Sequence, residues 1–143
     1  LMDTRSRIGN VGEEIVVEQI KGAIRTDDWW DSEKDGTIGS ERYEVKTIRL
    51  NRKTQSFWQS GNLKKLDEVD RFYIIRVPMD TEPLSVCALY VVENHRECFN
   101  EARRNDGGKV RAYPLTSCKK LVSMDNDTAR FLRDNSSKIS KWR

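Results

Sequence analysis

The chain of 143 residues contains no apolar run approaching the roughly 18 residues that a membrane-spanning helix needs. Its first residues also lack the apolar core of a secretory signal, and Leu1-Met2 reads as a vector-derived remnant. There is a single histidine, His95, so no pair of imidazoles is available at metal-binding spacing, and it is expected to start a helix. Cysteine is scarce and odd in number: Cys87, Cys98 and Cys118 form no Cys-x-x-Cys pair. They are expected to be reduced and structural, which argues against a zinc site and places the protein in the cytoplasm. Neither are the aromatics depleted as they are in disordered chains, since four Trp, four Tyr and four Phe are present.

What is present is a polar but globular composition, 36% apolar and 34% charged, of a length that suits one domain. The net charge of +3 hides a polarity along the chain. Residues 1–41 are strongly acidic, with 10 acidic side chains against 5 basic ones. Residues 42–58 reverse this, with 5 basic against 1 acidic, and residues 109–143 carry 9 basic against 3 acidic. Phosphates are drawn to Lys and Arg, and reach clustered carboxylates only with the help of cations. A polyanion could therefore bridge the segments, although a solvated surface with a basic tail would have the same composition.

Periodicity predicts an amphipathic helix over 6–25, with Val16, Ile20 and Ala23 or Ile24 on one stripe. Gly9 and Gly12 weaken its first turns, so the regular helix is expected from Val11 with Asn10 as N-cap. A short strand at Trp29–Lys34, a turn at 35–40 and a strand at 42–48 follow as a hairpin, then a polar loop over 49–62. A helix at 63–69 leads to a strand at 71–77 buried on both faces, which Pro78 ends. Strand 85–92, a helix over 93–104, a brief strand at 110–114 and a helix at 127–134 complete the expectation. This order suits an α/β fold, a mixed central β-sheet flanked by helices. The motif-bearing core is expected to occupy about 8–92, with 109–143 a basic C-terminal extension.

The chemistry concentrates in Asp35-Gly36 and, nine positions after the aspartate, Glu44-Val45-Lys46. Residues two apart on a strand share a face, so Glu44 and Lys46 project together while Val45 points the other way. A second carboxylate delivered from the preceding turn completes a set that can hold Mg²⁺ and orient a water. Each part alone has a plainer explanation. Asp-Gly is the commonest hairpin signal, and Glu-x-Lys on an edge strand is an ordinary surface pair.

Together these residues resemble the motif of the PD-(D/E)xK, or restriction-endonuclease-like, nuclease superfamily. The likeness covers about residues 8–77 and lacks the name-giving proline, since Lys34 precedes Asp35. The resemblance implies that Asp35, Glu44 and the Val45 carbonyl bind Mg²⁺, with Mn²⁺ as a substitute, and that Lys46 serves the attacking water. If the register differs, Asp31 or Glu33 supplies the acid. Many members, including Holliday-junction resolvases, carry a further glutamate on the leading helix. Glu13 fits that pattern, standing three, four and seven residues before Val16, Val17 and Ile20, with Glu14 the fallback. A carboxylate on this stripe needs a metal or basic partner.

The resemblance further implies a DNA endonuclease acting as a homodimer, of the junction-resolvase, restriction-like or phage type. Phosphate contacts are expected from Arg49, Arg52, Lys53 and Gln55 in the loop, with Gln59 also a candidate near the site, and from Lys119, Lys120 and the tail's Lys138, Lys141 and Arg143. Phe57-Trp58 within so polar a segment either wedges against bases or closes the core, and Trp58 is expected in the core. Two alternatives share the fold: a catalytically silent nucleic-acid-binding module, and an RNA endonuclease of cap-snatching type.

Overall fold

The computed structural model describes residues 4–26 and 35–140. The expected strand at Trp29–Lys34 and the alternative ligands Asp31 and Glu33 lie outside them, as do Lys141 and Arg143. Helix α1 (Thr4–Gln19) leads into β1 (Ala23–Arg25), β2 (Gly36–Ile38) and β3 (Glu41–Ile48). Next come β4 (Ser56–Gln59), α2 (Leu63–Glu68), β5 (Arg71–Arg76) and β6 (Ala88–Val92). Strands β7 (Asn100–Arg103), β8 (Lys109–Pro114) and β9 (Cys118–Ser123) precede the closing helix α3 (Asn126–Ser140). Among the described residues no helix is long and apolar enough to cross a membrane.

Six strands form one mixed sheet in the order β1-β2-β3-β5-β6-β9. Its pairs are antiparallel except β3 and β5, which run parallel because β4 and α2 carry the chain back between them. The alternation of side chains divides the core in two. Tyr43, Val45, Tyr73, Ile75 and Leu89 meet Ile8, Ile15 and Val16 of α1 and Ala129 and Leu132 of α3 on one face. Phe72, Ile74, Ala88 and Tyr90 meet Leu66 of α2, together with Phe57 and Tyr113, on the other. Phe57 and Tyr113 belong to a second, three-stranded sheet ordered β4-β8-β7. Strand β5 is buried on both sides, as its Phe-Tyr-Ile-Ile run implies.

Several sequence expectations are corrected. Helix α1 begins at Thr4 rather than Val11 and ends at Gln19, because Gly22 at φ +84° turns the chain into β1. Gly12, read as a helix weakener, is buried: a Cβ there would strike Thr47 Oγ1 on β3. Its bare Cα sets how closely helix and sheet approach. The hairpin turns at Gly39 (φ +60°), with Ile38 opposite Glu41, so Asp35 stands at the hairpin's open end and not at its tip. The polar loop 49–62 contains β4, whose Phe57 is fully buried. The helix expected over 93–104 is instead a series of tight turns, with Asn94 at φ +53°, followed by β7. The C-terminal stretch is no appendage, since β9 pairs with β6 in the main sheet and α3 packs against the face that holds α1.

Gly12 and Gly9 provide a contrast. Replacing Gly12 by Val should destabilise the protein by about 1–3 kcal/mol through overpacking against Thr47. Gly9→Ala meets nothing within 4 Å and should stabilise it by up to about 1 kcal/mol through helix propensity. Urea unfolding of both variants measures the difference.

Candidate functional site at the open edge of a strand

Strand β3 is eight residues long and β2 three, so β2 covers β3 only from Glu41 to Tyr43. The Asp35 N–H still donates to the Tyr43 carbonyl at 2.9 Å, and there the two strands part. In place of the next ladder bond, the Val45 N–H donates to Asp35 Oδ2 at 2.9 Å. A strand residue directs its N–H and C=O to the same edge, so the Val45 carbonyl faces the same open side as the Asp35 carboxylate. Gly36 permits this approach, because a Cβ there would collide with the Ile24 carbonyl and the Tyr43 ring.

Among the described residues no strand pairs with β3 beyond Tyr43 on this side, and a cleft of about 590 Å³ runs along that edge. Glu13, Asp35, Glu44, Val45, Lys46 and Arg49 all line it, although α1 and α2 approach from opposite faces of the sheet. Glu44 is 1% exposed, on the face opposite Val45 and beside Phe72 in the register. Burial pushes its carboxyl up to about 8; the hydrogen bond and negative charge of Asp35 add to the rise, while Lys46 and Lys65 oppose it. Glu13 is also raised, first by burial and then by Asp35, against the pull of Arg25. Its basic partner is that same Arg25, 3.1 Å away, whereas Glu14 is exposed and lies 3.8 Å from the guanidinium.

Sequence reasoning missed Lys65. On α2, one residue before the buried Leu66, it sends Nζ to 2.8 Å from Glu44 Oε2 and 3.7 Å from Asp35 Oδ1. Its ammonium thus stands between the two motif carboxylates.

 In sequence terms Lys65 lies 21 residues beyond Glu44 with no spacing that links the two, so the pairing belongs to the fold alone.

The other expected contacts divide. Arg49 lines the cleft, and its guanidinium Nε and Nη2 are buried without a hydrogen-bond partner among the described residues. Gln59 also lines it, with Nε2 donating to the Gly61 carbonyl. Arg52, Lys53 and Gln55 are exposed on the turn before β4, where Gln55 Nε2 donates to the Arg52 carbonyl, and none of the three lines the cleft. Lys119 and Lys120 are exposed on β9, three strands across the sheet from β3. Trp58 is corrected from core to cleft wall: it is half-buried, while its neighbour Phe57 fills the core. His95 starts no helix; it is buried, with Nε2 2.9 Å and 3.0 Å from the Leu66 and Val69 carbonyls at the end of α2.

Two carboxylates and a backbone carbonyl suit Mg²⁺, which usually takes one or two protein carboxylates and leaves its other positions to water and phosphate. The Lys65 ammonium is a stand-in cation between those carboxylates. Among the described residues no group of three or more His, Cys, Asp or Glu is gathered tightly enough to hold a metal by itself. No family model, curated protein or solved structure matches this chain.

The raised Glu44 carboxyl makes a pH prediction for the metal-free protein. An acid whose folded pKa lies above its unfolded value of 4.5 favours folding most at low pH, and that contribution fades as pH rises towards 8. Glu44→Gln has no such proton to lose. Its stability relative to the parent should therefore increase between pH 5 and pH 8, as about those limits follow from linkage. Thermal unfolding in EDTA across this range checks the slope, and parallel pH profiles for the two proteins would contradict it.

Proposed function

We propose that this chain is a Mg²⁺-dependent DNA endonuclease of the PD-(D/E)xK type, with a restriction-endonuclease-like core, acting as a homodimer. The observation that carries the reading is the convergence of Asp35, Glu44, Val45 and Lys46 on the unpaired edge of β3. The order of a leading helix, a hairpin bearing the acid and Glu-x-Lys, and further strands supports it. Asp35, Glu44 and the Val45 carbonyl would hold the ion, with Glu13 from α1 lining the same cleft. When bound, Mg²⁺ would polarise the phosphodiester and lower the pKa of a water. Lys46, on the same strand face as Glu44, orients the attacking water and offsets negative charge gathering on the phosphate oxygens. Lys65 neutralises the carboxylates while no divalent ion is there. Cutting both strands of a duplex needs two such clefts, which is the reason for a dimer.

One observation favours a second reading. Because Lys65 already balances Asp35 and Glu44, the cleft could serve as a metal-free nucleic-acid-binding groove. Mg²⁺ separates the two: a binding module binds DNA equally well with and without it.

The test is cleavage of labelled branched and linear DNA, with RNA as competitor. The parent should cut in Mg²⁺ or Mn²⁺ and be inert in EDTA. Asp35→Ala and Lys46→Ala should each reduce the rate by about 100-fold or more, the usual scale for a positioned acid–base or electrostatic group. Cleavage that survives both substitutions rules out the assignment.

A further inference from the structure

Arg49 presents an anomaly that the ion-binding groups leave unexplained. Its guanidinium Nε and Nη2 are buried, yet neither has a hydrogen-bond partner among the described residues. A buried charged donor left unpaired is unfavourable, and such a group signals a ligand it is built to meet. The planar fork of arginine matches the oxygens of a phosphate, which it can take in pairs. Arg49 immediately follows β3 and shares the cleft with Asp35, Glu44 and Lys46. A phosphate at the carboxylates would therefore have this guanidinium in the same cleft.

Trp58 supplies the second half. Asn51 bridges antiparallel to Ser56, and extending that register by two residues sets Arg49 opposite Trp58 on the two arms of one hairpin. The indole is fastened by its polar edge, with Nε1 3.1 Å from Thr54 Oγ1 and 3.0 Å from Ser56 Oγ. With its only donor occupied, the half-buried ring contributes apolar surface to the cleft wall. A fixed aromatic ring beside a phosphate-seeking arginine is the pairing that single-stranded nucleic-acid sites use, one group for the backbone and one for a base.

We propose that the cleft binds a nucleotide whose base is unpaired, with Arg49 on its phosphate and Trp58 stacked on its base. A base held in a duplex stack cannot lie on Trp58 while its phosphate enters the cleft, so the base must be splayed out or already single-stranded. The substrate class that follows is a single-stranded segment, as in a flap, gap or branch point. This rests on the nuclease reading above and narrows its substrate.

The experiment is a fluorescence-anisotropy titration in EDTA, where no cleavage intervenes, with a short labelled single-stranded oligonucleotide and with the same sequence as a blunt duplex. The parent should bind the single strand more tightly. Trp58→Leu, which keeps apolar volume without a π face, should weaken single-strand binding about 10-fold, from the known scale of base stacking. Trp58→Phe should restore most of it, and neither variant should alter duplex binding. Arg49→Ala should weaken binding and flatten its salt dependence. Unfolding midpoints near that of the parent separate lost contacts from lost structure. Equal or tighter duplex binding, or single-strand binding indifferent to Trp58→Leu, overturns the proposal. If the binding pattern holds but no DNA is cut in Mg²⁺, the nuclease reading fails alone; if duplex is cut at a rate unaffected by Trp58→Leu, the nucleotide proposal fails alone.

Discussion

A carboxylate buried beside another carboxylate needs a cation, and the Glu44–Asp35 pair imposes that need on the rest of this fold. Glu44 is almost wholly removed from water, on a face otherwise given to Phe72 and Ile74. Left alone, its charge would be expelled by protonation, which is the direction in which its pKa moves. The protein responds by bringing Lys65 from the crossover helix to 2.8 Å. The position of α2 is fixed in turn by Leu66, buried among Leu50, Phe57 and Phe72. Hydrophobic packing of the second layer thus places the ammonium at the edge of the first.

The same logic acts on the other face. Glu13 lies on a helix that must pack against Tyr43 and Val45, and it is partnered by Arg25 from β1. The close approach of α1 depends on Gly12, and the approach of Asp35 to Val45 depends on Gly36. Both glycines are places where backbone meets neighbour too closely for any side chain. Acidic groups from a helix, a hairpin end and a strand therefore meet only because two positions have no Cβ.

How much of this was legible in the sequence follows from the range of each interaction. The strand at 71–76, buried on both faces, and the joint projection of Glu44 and Lys46 depend on local pattern, and local pattern is readable. Glu13's need for a partner was readable too, since a carboxylate on an apolar stripe is conspicuous. Lys65 was not, because its role is created by a parallel crossover that no short window contains. Asn94 and β7 were missed for a related reason: a left-handed residue and pairing with β8 override the helical appearance of 93–104. Asp-Gly misled in the opposite way. It is a strong turn signal, but here Gly39 makes the turn and Asp35 closes the hairpin's other end.

An unpaired strand edge is a hazard, because it offers a template to any extended chain. Proteins blunt such edges with charge, bulges or cover. Along Glu44–Arg49 the charges are present, with Lys46 and Arg49 beside the open backbone and carboxylates on either side. Among the described residues cover is not: β2 stops short, and Asp35 satisfies the Val45 N–H with a side chain where a neighbouring strand would have supplied a carbonyl. A fold that needed only stability would gain from extending β2 by a few residues and sealing the edge. Doing so would bury the Val45 carbonyl and close the cleft. The incomplete hairpin is therefore what a site on this edge requires, and the half-buried cationic side chains beside it both deter strand pairing and suit a phosphate backbone.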